Sequence, residues 1–245
     1  MFDKNRQVGQ ESIKSYAQKI ENGFLEKYLS GKNILEIGFQ GYNSTRAVVP
    51  IVENAIGIDQ GYPNYDGLHL PFDSDSQDAV YSSHVLEHIP YWEKALQEWF
   101  RVLKVGGYMI IVVPHWLLYE KKKDFPSRFA GVGHFRYYLP STLLSEIQEA
   151  LPLGEWRLRH MCDNDAGYDY SLSDTTHPEG CYEIECVIEK IPDHAYITQM
   201  MNRWYIKMHI EIIKDKSYGI LLSGGIDSAV FNINCYVNKY LYDKL

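Results

Sequence analysis

Short apolar runs, the first two ending in a glycine and an acid, alternate along this chain with segments whose apolar residues recur every three or four positions. The runs are Asn33-Ile-Leu-Glu-Ile-Gly38, Ala55-Ile-Gly-Ile-Asp59, Asp78-Ala-Val-Tyr-Ser-Ser83 and Tyr108-Met-Ile-Ile-Val-Val113. Their length and near-continuous apolar character predict strands buried on both faces. Between the last two, Trp92, Ala95, Leu96, Trp99, Phe100 and Leu103 share one helical face, and Gly106-Gly107 is read as the helix stop. Strand–helix alternation of this kind requires crossover connections, so the chain is expected to form an α/β, doubly wound, mostly parallel sheet covered on both sides. Flanking elements extend the pattern. Ile13, Tyr16, Ala17, Ile20, Phe24 and Tyr28 predict one amphipathic helix over 11–30, stopped by Gly31. Leu143, Leu144, Ile147 and Leu151 predict another, opened by Pro140-Ser141. Two later runs, 155–162 and 181–190, alternate apolar with polar residues, as strands at a sheet edge do.

Composition narrows the function. The formal net charge of −8 gives no general gain from phosphate neutralisation, so nucleic acid is not an expected partner. The longest apolar stretch, 108–119, is short and is interrupted by Pro114 and His115, so no membrane span is expected. Residues 1–10 are polar, without an apolar leader core, and the four cysteines include no C-x-x-C pair. A cytoplasmic protein with neither a disulfide framework nor a zinc ribbon is the expectation.

In an open α/β sheet, ligands bind beyond the carboxyl ends of the strands. The loop Gly38-Phe-Gln-Gly41-Tyr-Asn-Ser44 follows the first strand, with a helix expected after it. Asp59 stands at the tip of the next strand, where an acid can hold two ribose hydroxyls. Together with Leu70-Pro-Phe-Asp-Ser-Asp-Ser-Gln-Asp78, the run Ser82-Ser-His-Val-Leu-Glu-His88 and Phe100-Arg-Val-Leu-Lys-Val-Gly-Gly107, these residues resemble the class I S-adenosylmethionine-dependent methyltransferases. The resemblance implies a Rossmann-like sheet of seven strands with the last antiparallel, and S-adenosylmethionine as cofactor. It implies that Glu36, Gly38 and Gly41 belong to the loop facing the methionine part. Asp59 would be the ribose acid, Asp66 and Gly67 the adenine-contacting pair, and Ser83 and His84 would open towards the cofactor. One departure is visible: Gln40 and Tyr42 stand where that loop usually has glycines.

Methyl transfer to a hydroxyl or amine needs positioning and a proton acceptor. His115, directly after the fourth run, and His134 are the candidate bases, because an imidazole titrates near neutrality. They lie in 115–139, a stretch of little periodicity that carries a local excess of three positive charges. There Arg128 and Arg136, interleaved with aromatic residues, suit a phosphate and a ring, and Tyr119 is a further acceptor contact. The acidic, tyrosine-rich loop 162–170 could meet sugar hydroxyls. A small anionic acceptor follows, such as a nucleotide-linked or phosphorylated sugar; methyltransferases of surface-polysaccharide (capsule) synthesis are the resemblance's nearest setting. A homodimer is compatible with these features. His84 and His88 have metal-ligand spacing with Glu87 nearby, but no third ligand is evident from order alone and no metal is assigned.

Beyond Ile191-Pro192 the pattern changes. Residues 1–190 are read as the methyltransferase-like domain and 191–245 as a helical C-terminal extension, with Ile197, Met201, Trp204, Met208 and Ile212 on one face. The extension holds Ser223-Gly-Gly-Ile-Asp-Ser228, which resembles the pyrophosphate loop of ATP pyrophosphatases; too little chain follows it to complete that fold. Two other classes stay open: a non-catalytic binding protein that keeps the fold, and an ATP-using ligase fragment dependent on Ser223 and Asp227.

Overall fold

A computed structural model describes residues 2–42, 47–119, 133–171 and 178–192. Its centre is a six-stranded sheet of β1 (Ile34–Ile37), β2 (Ala55–Ile58), β3 (Gln77–Ser83), β4 (Leu103–Pro114), β5 (Trp156–Asn164) and β6 (Glu183–Lys190), in the order β2-β1-β3-β4-β6-β5. The first four strands run parallel; β6 is antiparallel to both β4 and β5. The chain moves outward from β1 to β2 and then crosses back to β3 on the other side of β1. The order therefore reverses at β1, and the crevice beyond its carboxyl end is where such a sheet opens for a ligand.

Two apolar layers hold the sheet. Helices α3 (Trp92–Val102) and α5 (Pro140–Ala150) cover one face, where Leu96, Trp99 and Ile147 meet Leu35, Ile37, Val80 and Ile111. On the other face, Tyr16 of α1 (Ser12–Glu21) and Leu25 of α2 (Phe24–Tyr28) meet Ile34, Tyr81, Ile110 and Val187. Alternate residues of β1 thus enter opposite layers, which is why its sequence reads as continuously apolar.

The doubly wound sheet follows the expectation, and several details do not. The described residues form six strands, not seven: the segment between β2 and β3 is punctuated by Pro63, Pro71, Gly61 and Gly67 and forms turns. The single helix expected over 11–30 is broken at Asn22-Gly23, and Ile13 is 46% exposed while Ser12, Ser15 and Lys19 are buried. Gly106-Gly107 lies within β4 and does not end α3. Residues 47–54, after the first loop, form bends and turns in place of the expected helix, and His84 precedes a single 3-10 turn, Leu86–His88. β5 is an edge strand, but β6 is interior; its glutamates Glu183 and Glu185 are buried against Lys19. The extension 191–245 lies outside the described residues apart from Ile191 and Pro192, and the Ser223–Ser228 loop lies wholly outside them.

Glu36, in the middle of β1, is buried, and its carboxylate accepts the Ile51 backbone N–H. Burial pushes its carboxyl up to about 8, against the downward pull of that hydrogen bond and of Arg6. An unfolded glutamate ionises near pH ~4.3 while the folded one keeps its proton far longer, so this group erodes stability as pH rises between the two values. Glu36→Gln retains an acceptor for Ile51 and removes the ionisation. It is expected to raise Tm by roughly 2–4 °C at about pH 8 and to change little at about pH 4, taking about 1 kcal/mol as the gain. Thermal melts at the two pH values check this; a Tm lowered at about pH 8 would mean the ionised carboxylate stabilises the fold.

Candidate active site

Beyond the carboxyl ends of β1, β2 and β3 lies a cavity of about 460 Å³, within the range of small-molecule sites. Gly38, Asp59, Asp66, Gly67 and His84 all line it. The backbone at Gly38 is in the left-handed region (φ 77°), and its N–H donates to the Ile58 carbonyl at 2.6 Å, tying the β1 loop to the end of β2. A Cβ there would stand 2.1 Å from Val85 Cγ2, so the backbone comes as close to the 85–91 wall as a chain can. Asp59 Oδ2 accepts the Gln40 N–H at 3.1 Å and Oδ1 the Gln60 N–H at 2.7 Å. Each oxygen keeps lone-pair capacity towards the cavity. Asp66 accepts the N–H groups of Leu68 and His69 and pairs with the His69 ring at 2.7 Å; these donors hold its carboxyl well below the usual carboxylate range.

Three expected cofactor residues stand elsewhere. Glu36 is taken up by Ile51 and does not line the cavity; Ser83 is buried behind it. Gly41 packs under the Phe39 ring, which also fills the space above Gly57 and meets Tyr42 edge-on at 5.4 Å. An aromatic plug therefore occupies the place of the missing glycines, and Gln40 reaches Asp59 through its backbone.

The back wall is charged. His84, its side chain 9% exposed, stands at φ 54°, with Glu183 at 3.4 Å, Glu87 at 3.8 Å and Glu11 at 3.9 Å. Burial works against its cation, but the three carboxylates outweigh burial and shift its pKa upward. Glu183 in turn meets Lys19, which Glu185 holds at 2.8 Å, so an ion network runs from the cavity wall into the core. Sequence reasoning missed this network and also missed Tyr65, which lines the cavity; burial first, then Asp59 and Asp66, pushes its phenol up to about 12.

The stretch after β4 only partly matches its expected role. His115 is buried at the β4 terminus, and its Nδ1 accepts the Leu117 N–H at 3.1 Å. The proton of the neutral ring therefore sits on Nε2, 3.7 Å from Asp163 Oδ1, and the ring is not set as a base. Tyr119 ends α4 (Trp116–Tyr119) and lies beside His134, ring centroids 5.7 Å apart, while His134 meets His88 at 4.6 Å. Arg136 does not wait for a phosphate. Its donors go to Glu146 (3.0 Å) and the carbonyls of Ile89 (2.7 Å) and Pro90 (3.2 Å), and its guanidinium lies over Trp92. Glu146 on α5 supplies the anion that order alone did not reveal. Arg128 lies outside the described residues.

The methyltransferase-domain family matches residues 41–111, which run from the β1 loop into β4. Two curated relatives agree. One is a probable S-adenosylmethionine-dependent methyltransferase of Mycolicibacterium smegmatis, 29% identical over 115 residues (40% of this chain, 44% of that one). The other is a 2-methyl-6-phytyl-1,4-hydroquinone methyltransferase of Oryza sativa, 22% identical over 120 residues (44% of this chain, 35% of that one). The chain thus matches less than half the length of either. Among solved structures, an S-adenosylmethionine-dependent methyltransferase from Archaeoglobus fulgidus aligns with a TM-score of 0.42 and 15% identity, over 71% of this chain and 94% of that one. S-adenosylmethionine is the cofactor of this class. No helix among the described residues is long and apolar enough to cross a membrane.

Proposed function

We propose that the protein transfers the methyl group of S-adenosylmethionine to a small, hydroxyl-bearing, phosphorylated acceptor such as a nucleotide-linked sugar. One observation carries the cofactor half of this reading: at the strand-order reversal, Gly38 presents bare backbone to the cavity beside Asp59, whose two oxygens both have lone-pair capacity left. Asp59 holds the ribose hydroxyls, Gly38 lets the backbone approach the methionine part, and the Asp66–Gly67 turn borders the adenine. When bound, the cofactor supplies an electrophilic methyl group on its sulfonium. The chain's own task is to orient the acceptor oxygen in line with it and to exclude water. Tyr119 and His134, towards the two ends of the irregular stretch, with rings 5.7 Å apart, are the side chains we place beside that oxygen. The positive excess of 115–139 supports an anionic acceptor. A domain boundary near residue 191 and a soluble homodimer are part of the same reading.

Calorimetry with S-adenosylhomocysteine tests the core of the proposal. The wild-type chain is expected to bind, and Asp59→Ala to bind about tenfold to a hundredfold more weakly, the worth of a charge-assisted hydrogen bond at 1.5–3 kcal/mol. Absence of heat from the wild-type chain overturns the assignment.

A further inference from the structure

His88 and Glu87 follow each other on the 3-10 turn, and the structure brings the third side chain that order alone did not reveal. His134 arrives from the far end of the stretch after β4, and one ligand atom each of Glu87, His88 and His134 lies within 4.8 Å of the others. The approach is built. The Phe135 N–H donates to the Glu87 carbonyl at 2.8 Å, and Arg136 donates to the carbonyls of Ile89 and Pro90, so the His134 segment is clamped along 87–90. The ring of His88 is fixed as well: its Nδ1 lies 3.1 Å from the Gly133 carbonyl, an acceptor only, so Nδ1 carries the proton and Nε2 keeps its lone pair. That Nε2 points at Glu87 Oε1 across 3.8 Å, too long for a hydrogen bond. A backbone carbonyl orienting an imidazole in this way is the usual outer support of a metal-ligating histidine.

The second, independent observation is Glu87 itself. Its side chain is fully buried, and neither carboxylate oxygen has a hydrogen-bond partner among the described residues. A buried carboxylate without a hydrogen bond is costly, and His84 at 3.8 Å offsets the charge without supplying one. A cation between Glu87 and the two imidazoles would satisfy it. Ligand atoms on an ion with bonds of about 2.1 Å and tetrahedral angles lie about 3.4 Å apart; Glu87 and His88, 3.8 Å apart, are near that spacing, and no pair is more than 4.8 Å apart.

We propose that Glu87, His88 and His134 form a site for a divalent first-row transition ion at the cavity rim. One carboxylate and two neutral imidazoles suit zinc, iron, cobalt or manganese better than the all-oxygen shells of calcium and magnesium. Three protein ligands leave positions open, and His88 lines the cavity, so the site borders the space assigned to the cofactor. The site deepens the methyltransferase reading, on which its role rests: His134 meets the acceptor oxygen through the ion. The other cluster of potential ligands, His160, Cys162 and Glu185, is unsuitable. Glu185 already holds Lys19 and Asn164, each at 2.8 Å, and burial, then Glu185 and Asp163, pushes the Cys162 thiol up to about 11.

The test uses the full chain, stripped with chelator and titrated with Co2+ in the absence of cofactor and acceptor. We expect one equivalent to give the visible ligand-field absorption of a low-symmetry, nitrogen-ligated ion. His88→Ala and His134→Ala are each expected to weaken binding at least about tenfold, and His160→Ala to leave it unchanged. Melting curves for each variant confirm folding, and His134→Ala is the decisive one because its side chain lies on a loop. No absorption beyond that of aqueous Co2+, or equal affinity in the His88 and His134 variants, overturns the site. Binding of S-adenosylhomocysteine is measured separately, so cofactor binding without Co2+ binding removes the metal site and leaves the methyltransferase assignment standing.

Discussion

Lys19→Met is expected to destabilise the protein by about 3–5 kcal/mol, the cost of breaking a buried ion network from one side. Lys19 and Glu183 have no exposed side-chain surface and Glu185 has 5%. The ammonium lies 2.8 Å from Glu185, 3.3 Å from Glu183 and against the Ser15 hydroxyl. Removing it leaves two carboxylates on one face of β6, with His84 and the Ser15 hydroxyl facing Glu183 and with Asn164 and His160 facing Glu185, none of them a fixed cation like the ammonium. If the loss is uncompensated charge and not packing, adding Glu183→Gln and Glu185→Gln to Lys19→Met should restore most of the stability, since neutral groups of similar volume carry no such penalty. Urea titrations of the single and triple variants decide this. A single variant within about 1 kcal/mol of wild type would show the network to be dispensable.

The same network fixes how stability depends on pH. Burial alone would raise the Glu183 carboxyl, but Lys19 and His84 outweigh it and hold it down. Burial would likewise lower the Lys19 ammonium, and Glu183, Tyr81 and Glu185 outweigh that and hold it up. A depressed acid stabilises above its unfolded pKa of about 4.3 and loses that contribution as pH falls. A raised base stabilises below about 10.4 and loses it as pH rises. Between those limits both contributions are present. The raised His84 adds one that is complete below about 6.5 and fades as pH rises through its folded value.

What the sequence made legible is what local order determines. β1 to β4, α3 and α5 are written in apolar periodicity. Gly38 and Asp59 follow from the loop position that a parallel strand imposes, Asp66 and Gly67 from the family resemblance alone, and all four line the cavity. What stayed hidden depends on partners far away in the chain. Lys19 falls on the helix face where Tyr16 is buried, yet a lysine reads as solvent-facing until Glu183 and Glu185 are known to lie opposite it. The polar alternation of β6 reads as an edge for the same reason. Arg136 looked like a phosphate ligand because Glu146, on the next helix, had no visible connection to it. His134 could not be joined to Glu87 and His88 without the backbone bond from Phe135 to Glu87.

Gly38→Ala is expected to abolish measurable binding of S-adenosylhomocysteine. Two costs meet at this position. A non-glycine residue in the left-handed region loses roughly 1–2 kcal/mol, and the added methyl group stands 2.1 Å from Val85 Cγ2, an overlap worth about 1–3 kcal/mol if relaxed by backbone movement. That movement is not neutral for the site. The Gly38 N–H is bonded to Ile58, and two residues on the Gln40 N–H is bonded to Asp59, so a displaced loop releases Asp59, the acid proposed to hold the ribose. Val85→Ala removes the overlapping methyl while leaving the backbone strain, so Gly38→Ala with Val85→Ala should recover part of the affinity, remaining about tenfold below wild type at 1–2 kcal/mol. Because both act on one loop, Gly38→Ala and Asp59→Ala should be less than additive in stability, read from melts of the single and double variants, which separates a shared loop from two independent contacts. Calorimetry on the four single and double variants gives the answer. Wild-type affinity in Gly38→Ala would mean that the cofactor does not approach the β1 loop.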